Sequence, residues 1–301
     1  MSVIVFGSIN VDLVTRVDHL PRRGETVTAL SMDVLPGGKG SNQAIASAMF
    51  GVPTRMIGSV GDDAHAAMMI GALAKAGADT GMIRRVPGPT GTAHVCVSQE
   101  GENQIVVIAG ANAQVTADDC WPGGADDICL AQLELPVDAV ATMLGKAHLA
   151  GGRTILNAAP ALAAAEPLLA VVDVLIVNQT ELAFYVGREP ADSVRAATTA
   201  ARGLLRHPGQ WVVVTLGAQG AVAVSFDRTI SIAAPKVPVV DTTGAGDTFC
   251  GVVAAALSEG FEIDAALHFA CAASALSVQR IGAAASMPGR AEIDAAMRSA
   301  G

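Results

Sequence analysis

The chain has 301 residues, 51% of them hydrophobic and 16% charged, which is enough apolar material to bury one large core or two modest ones. A net charge of −9, with basic residues gathered only in short pairs such as Arg22-Arg23 and Arg84-Arg85, argues against a nucleic-acid footprint, so any anionic ligand must be held locally. The mean hydropathy of +0.45 comes from Ala and Val scattered among polar residues, and no window offers the roughly eighteen uninterrupted apolar residues of a membrane span.

The first segment, SVIVFGS (2–8), reads as a buried strand. The preceding start lacks a basic region and a small-residue cleavage site, so no signal peptide is expected. GETVTALSMDVLPGG (24–38) has period-two character, and GSNQAIASAMFG (40–51) reads as a helix ending at Gly51. TRMIGSVG (54–61) is strand-like, and residues 62–78 form a helix with carboxylates in its first turn. GTAHVCVSQEGENQIVVIAGAN (91–112) again alternates with period two, with EGEN as a hairpin turn. DICLAQLEL (127–135), TILNAAP (154–160), VLIVNQ (174–179) and QWVVVTLG (210–217) are further strands, most of them separated by helical stretches. Alternating strands and helices imply a mainly parallel sheet covered on both faces, with ligands beyond the carboxyl ends of its strands. The two period-two segments form a small added sheet, either a lid over the site or an association surface.

Three polar motifs fall at such strand ends or helix entrances. DTTGAGDTFCG (241–251) places glycines where a helix begins, and the unpaired N–H groups there, with the helix dipole, make an anion site. Gly244, Ala245 and Gly246 suit a phosphate, and Asp247 beside them is a candidate general base. The competing reading is that Asp247 or Thr243 only caps the helix. PGGKGSNQA (36–44) is not a nucleotide P-loop, because Asp33 stands where the first glycine is needed and Gly40 follows Lys39. Facing SINVD (8–12), its residues Lys39 and Asn42 join Asn10 and Asp12 as a polyhydroxyl-binding set, against the plainer reading of a polar surface turn. In NQTEL (178–182), Asn178 and Glu181 suit Mg2+ held through waters. The alternative there is a capping box with Gln179 or Thr180 as the cap.

In this order, and with GSINVDL, GENQIVVIAGAN, AQLELP, NAAPA and TLGAQG between and around them, the motifs resemble the ribokinase group of the PfkB-type sugar kinases from end to end. The resemblance implies one α/β domain over 1–301, a three-layer sandwich with a mainly parallel central sheet of about nine strands. It adds a small β-sheet lid, from about 13–36 and 91–110, that pairs with its counterpart in a homodimer. It implies phosphorylation of ribose at its 5-hydroxyl by ATP with Mg2+, while the odd cysteine count places the chain in the cytoplasm. Asp247 is then the base, and Gly244, Ala245 and Gly246 the anion hole. Sugar contacts carry over to Asn10, Asp12, Gly38, Lys39, Asn42, Glu134 and Asp247. Nucleotide contacts carry over to Asn178, Thr215, Leu216, Gly217, Ala218, Gln219, Gly220 and Gly246, with Glu181 near Mg2+ and Cys271 near the adenine. An activating monovalent cation, K+, is placed at Asp241, Thr243, Ser277, Arg280, Gly282 and Ser286, largely through backbone carbonyls.

Other classes are weighed against this. A Rossmann oxidoreductase needs G-x-G-x-x-G after the first strand, where FGSINVD stands, and a serine hydrolase needs G-x-S-x-G. His268 and Cys271, three apart on one helix, read as a packed face rather than half a metal site. The five cysteines, an odd number, fit a reducing compartment rather than a disulfide framework. A non-catalytic sugar sensor on the same scaffold, and a kinase of 2-deoxyribose, another sugar or a nucleoside, remain as alternatives.

Overall fold

The computed structural model describes residues 1–117 and 121–299. Its strands in chain order are β1 (Val3–Phe6), β2 (Asn10–Val17), β3 (Ser31–Gly37), β4 (Thr54–Val60), β5 (Asp79–Arg85), β6 (Gly91–Ser98), β7 (Asn103–Ile108), β8 (Ile128–Gln132), β9 (Arg153–Asn157), β10 (Val174–Asn178), β11 (Trp211–Thr215), β12 (Ala221–Val224) and β13 (Thr229–Ile232). The helices are α1 (Lys39–Phe50), α2 (Ala64–Lys75), α3 (Val137–Leu149), α4 (Gln179–Val186), α5 (Val194–Arg202), α6 (Ala245–Ser258), α7 (Ile263–Ser277) and α8 (Arg290–Ser299).

Nine strands form one sheet in the order β13-β12-β11-β10-β9-β8-β1-β4-β5. From β11 to β5 every neighbouring pair is parallel, and β12 and β13 close one edge antiparallel. Central strands such as β1 and β8 are buried at every position, as short apolar strands covered on both faces must be. One face packs against α1, α2, α6, α7 and α8, the other against α3, α4 and α5, giving two apolar cores and three layers. The chain leaves β1 with β4 on one side and β8 on the other, so strand order reverses there and opens a crevice at the carboxyl ends.

A second sheet, β3-β2-β6-β7, stands beside that crevice. It starts earlier than expected from the sequence, because Asn10 already pairs with Gly37 and Gly91. The expected strand over 24–38 shrinks to Ser31–Gly37. Residues before it are taken up by a local turn, in which Glu25 accepts from the Arg22 N–H (2.9 Å) and pairs with His19 (2.9 Å). The carboxylates expected in the first turn of α2 also move: Asp63 is its N-cap, accepting from the His65 and Ala66 N–H groups. Asp63 simultaneously accepts from the Thr90 N–H (2.7 Å) and hydroxyl (2.8 Å), which ties the root of β6 to the main body. No helix among the described residues is long and apolar enough to cross a membrane.

Candidate active site

The crevice is built from strand ends. Gln132 and Asn157 are register partners at the ends of β8 and β9, and Asn178 and Thr215 at the ends of β10 and β11. Opposite them, α1 enters from Gly38, whose φ of 88° lies in the left-handed region that favours glycine. A Cβ on Gly40 would come within 2.5 Å of the Gly7 carbonyl carbon and the Ser8 nitrogen, so only glycine lets α1 approach the exit of β1. Ser8 and Glu134 knot this junction. The Ser8 hydroxyl donates to Glu134 Oε2 (2.6 Å), the Lys39 N–H donates to the same oxygen (3.1 Å), and the Gly40 N–H donates to Ser8 Oγ (3.2 Å). A carboxylate at a helix N-terminus is itself favourable.

Asn10 and Asp12, two apart on β2, share one face, and a Cβ on Gly37 across the sheet would sit 2.2 Å from the Asp12 carboxylate. Burial pushes the Asp12 carboxyl up to about 7, aided by Glu134 and Asp247 and opposed by Lys39. Asp247, and after it Glu134, Glu181 and Cys250, hold the Lys39 ammonium above its ordinary value against its own burial. Asn42 is buried on the first turn of α1 and donates through Nδ2 to Asp247 Oδ2 (2.9 Å). The structure therefore gathers Asn10, Asp12, Gly38, Lys39, Asn42, Glu134 and Asp247 around one end of the crevice.

Gly244 is the N-cap of α6, with φ 76° and no side-chain cap, so neither Asp247 nor Thr243 caps this helix. The side chain of Asp247 turns instead toward α1 and is 8% exposed. First-turn N–H groups of a 14-residue helix have no partner within the helix and carry the positive end of its dipole. Gly244, Gly246 and Asp247 line a cleft of about 140 Å³ together with Lys39, Asn157, Asn178, Glu181, Thr215 and Cys250. Sugar-set and nucleotide-set residues thus face one space.

NQTEL forms a full capping box, but its cap is Asn178 rather than Gln179 or Thr180. Asn178 ends β10 in extended conformation, its Oδ1 accepts from the Glu181 N–H (2.8 Å), and Glu181 Oε2 accepts from the Asn178 N–H (2.8 Å). Glu181 lines the cleft all the same, and burial raises its carboxyl. Beyond Thr215, Gly217, Ala218 and Gln219 make an exposed short helical turn between the buried Leu216 and Gly220. Cys271 does not line this cleft: it is 5% exposed within the apolar core, and burial pushes its thiol up to about 12. His268, by contrast, is exposed beside Asp264 (3.7 Å), so only Cys271 of that pair packs inward. Cys96, Cys129, Cys250 and Cys271 are free thiols, and Cys120 lies outside the described residues.

Asp241, Thr243 and Gly282 meet. Asp241 Oδ1 accepts from the Thr243 N–H (2.9 Å) and hydroxyl (2.6 Å), and Oδ2 from the Gly282 N–H (2.8 Å). Burial pushes this carboxyl up, but those hydrogen bonds outweigh it and hold it below its ordinary value. Ser277 and Ser286 are buried, the Ser277 carbonyl accepts from the Arg280 N–H (3.0 Å), and the Arg280 side chain turns away to Glu292.

Sequence reasoning missed the amides that support these groups: Gln43, Asn112, Gln132 and Asn157. The available signal was a run of polar residues, Ser41, Asn42 and Gln43, all buried at the start of an otherwise apolar helix.

Residues 1–290 match the family model described as pfkB family carbohydrate kinase. The chain is 35% identical to the ribokinase of Haemophilus influenzae over 305 residues, covering 97% of this chain and 96% of that one. It is 34% identical to the deoxyribokinase of Salmonella typhi over 296 residues, covering 96% of each. Among solved structures it is similar to a ribokinase of Thermotoga maritima, with a TM-score of 0.88 at 35% identity and 99% coverage of both chains. It is also similar to an Arabidopsis thaliana ribokinase complexed with ribose and ATP, with a TM-score of 0.86 at 32% identity and 98% coverage of both.

Proposed function

The chain belongs to the pfkB family of carbohydrate kinases and is an ATP-dependent sugar kinase, and on that footing we propose that its acceptor is D-ribose, phosphorylated at the 5-hydroxyl. The observation that carries the reading is the position of Asp247, a nearly buried carboxylate in the first turn of α6, in one cleft with Lys39 on one side and Asn178 and Thr215 on the other. Asp247 takes the proton of the acceptor hydroxyl as the new phosphorus–oxygen bond forms and the bond to the ADP leaving oxygen breaks. The N–H groups from Gly244 to Gly246 stabilise the charge spread over the transferring group. Asn10, Asp12, Asn42 and Glu134 supply fixed donors and acceptors for the sugar hydroxyls, and Lys39 offsets the carboxylates of Asp12, Glu134, Glu181 and Asp247 around it. The loop from Thr215 to Gly220 and Asn178 hold the nucleotide. The small sheet closes over the sugar and excludes water, so hydrolysis of ATP without sugar is slow.

Two metals belong to this proposal. Mg2+ neutralises charge on the nucleotide phosphates when bound. Glu181 fits a water-held ion, since only one lone pair on each carboxylate oxygen is taken up by Asn178. The hydrogen bonds that tie Asp241 to Thr243 and Gly282 hold a carboxylate just before the N-terminus of α6, which is where a monovalent cation is proposed. The exposed apolar residues of the small sheet support a homodimer through that sheet, and a reducing cytoplasm suits the free thiols.

Deoxyribose is a second reading, favoured by the 34% identity to a deoxyribokinase. An ADP-release assay with MgATP and K+, run on ribose, 2-deoxyribose, fructose and adenosine beside a sugar-free blank, decides between them. Highest kcat/KM on ribose is the expected result. A different winner moves the acceptor assignment and leaves the chemistry, whereas binding with no turnover of any sugar points to a sensor.

A further inference from the structure

Two residues adjacent in sequence grip Asp247 from α1. Asn42 Nδ2 donates to Oδ2 (2.9 Å), and Gln43 Nε2 donates to Oδ1 (3.0 Å). Asn42 belongs to the sugar set, whereas Gln43 has no place there or among the nucleotide contacts. Gln43 is fully buried, and both ends of its amide are committed. Its Nε2 also donates to Asn157 Oδ1 (3.1 Å), and its Oε1 accepts from Gln132 Nε2 (2.7 Å). A chain of amides therefore runs from the ends of β8 and β9 to one oxygen of a carboxylate on α6.

Packing does not call for this chain. An apolar side chain at position 43 would fill the space between α1 and α6 without the cost of burying and pairing an amide. The helices in fact meet closely here: a Cβ on Gly251 would come within 2.5 Å of the Gln43 carbonyl oxygen and 2.7 Å of Ala46 Cβ. That approach sets the distance at which the Gln43 amide reaches Asp247.

We propose that Gln43, backed by Gln132, is a positioning residue for phosphoryl transfer, fixing the rotation of the Asp247 carboxylate about its Cβ–Cγ bond. This rests on the reading of Asp247 as the base. With one donor on each oxygen the carboxylate plane is held, and the lone pairs that the amides leave unused point where the acceptor hydroxyl must deliver its proton. A carboxylate held on one side only would sample rotations that carry those lone pairs away from the hydroxyl.

The test compares Gln43→Met, Gln132→Met, Gln43→Glu and Asp247→Asn in steady-state kinetics with MgATP and the best sugar, with thermal unfolding of each. Gln43→Met lowers kcat about 10- to 100-fold and leaves both KM values within about twofold, the signature of an interaction that matters in the transition state. Gln132→Met acts in the same direction by about three- to tenfold. Gln43→Glu places a carboxylate beside Asp247 and moves the acid limb of the kcat profile to higher pH. A fall in unfolding temperature with kcat and the acid limb unchanged makes Gln43 merely structural and overturns the proposal. So does a rise in sugar KM at constant kcat. If Asp247→Asn abolishes turnover while Gln43→Met keeps it, this inference alone fails. If Asp247→Asn keeps turnover, the base reading fails and takes the inference with it.

Discussion

Asn112 Nδ2 donates to Asn10 Oδ1 at 2.7 Å, joining the end of the β6–β7 hairpin to the start of β2. The same Asn112 side chain clamps the neighbouring backbone: its Oδ1 accepts from the Ile9 N–H (2.9 Å) and its Nδ2 donates to the Ile9 carbonyl (3.2 Å). A Cβ on Gly91 would lie 2.2 Å from both Asn10 Oδ1 and Asn112 Nδ2, so glycine is what admits this contact. With its oxygen occupied by Asn112, Asn10 keeps its Nδ2 donor for a sugar hydroxyl in the proposed reading. Asn112→Ala is therefore expected to raise the sugar KM about tenfold, a loss of about 1.4 kcal/mol, with the ATP KM unchanged. Steady-state titration of each substrate checks it, and an unchanged sugar KM would detach Asn112 from the sugar site.

The Asp12 carboxyl, raised by burial to about 7, gives a second prediction. The ionised form accepts through both oxygens and makes the stronger, charge-assisted hydrogen bonds to hydroxyls, so kcat/KM for the sugar climbs as pH rises through about 7 and levels off above it. Asp12→Asn abolishes that inflection. Stability runs the opposite way. The folded-state value lies above the ordinary 3.8, so the folded chain binds the extra proton between those limits. The cost of the buried charge is present above about 7 and is relieved as pH falls toward 4. Asp12→Asn should therefore raise the unfolding temperature more at pH 8 than at pH 5, and equal shifts at the two values would count against the buried charge.

What the sequence made legible was whatever local rules enforce. The end of α1 could be read from Gly51, because the left-handed backbone there favours glycine, whereas its start, expected at Gly40, lies one residue earlier at Lys39. The buried parallel strands could be read from their Val and Ile runs. The four-residue β12 and β13 span only two repeats of the strand alternation, too few to stand out, and the edge strand β5 has no apolar run, so neither kind gave a signal. Within the site, although capping and a polar surface turn were the plainer uses, Asp247 and Lys39 were legible because each stands beside a glycine-rich turn at a helix entrance, and Asp12 because it follows the first strand. Gln43, Gln132 and Asn112 were not: an uncharged amide acquires its meaning from a partner that lies 204, 89 or 102 positions away in the contacts that matter. The alternation over 24–30 misled because Glu25 closes a local turn with Arg22.

The outer strand β7 supplies a third prediction. Ile105, Val106, Val107 and Ile108 are 48–64% exposed on an unpaired edge, on both faces of the strand. An apolar edge of this length needs covering, and a second copy of the same sheet is the proposed cover. Ile105→Lys with Val106→Lys should convert the dimer to monomer in sedimentation velocity, raising the sugar KM more than the ATP KM. Wild-type protein that sediments as a 30.3 kDa monomer at all concentrations would remove the dimer.

Asp247→Asn is the sharpest substitution because the structure can absorb it. The two donors on the carboxylate, Asn42 Nδ2 and Gln43 Nε2, would meet one oxygen and one NH2 group after the exchange. Asn42 Oδ1 is buried without a hydrogen-bond partner, so turning the Asn42 amide over offers that oxygen to the new NH2 group while Gln43 keeps its acceptor. Folding and the affinities for ATP and sugar should survive, whereas the acceptor hydroxyl loses the group that takes its proton. The expected fall in kcat is about 10²- to 10⁴-fold, with unfolding temperature and both dissociation constants nearly unchanged by calorimetry. Retained turnover in a folded variant would remove Asp247 from the base role and shift the search to the other carboxylates of the site, Asp12 and Glu181.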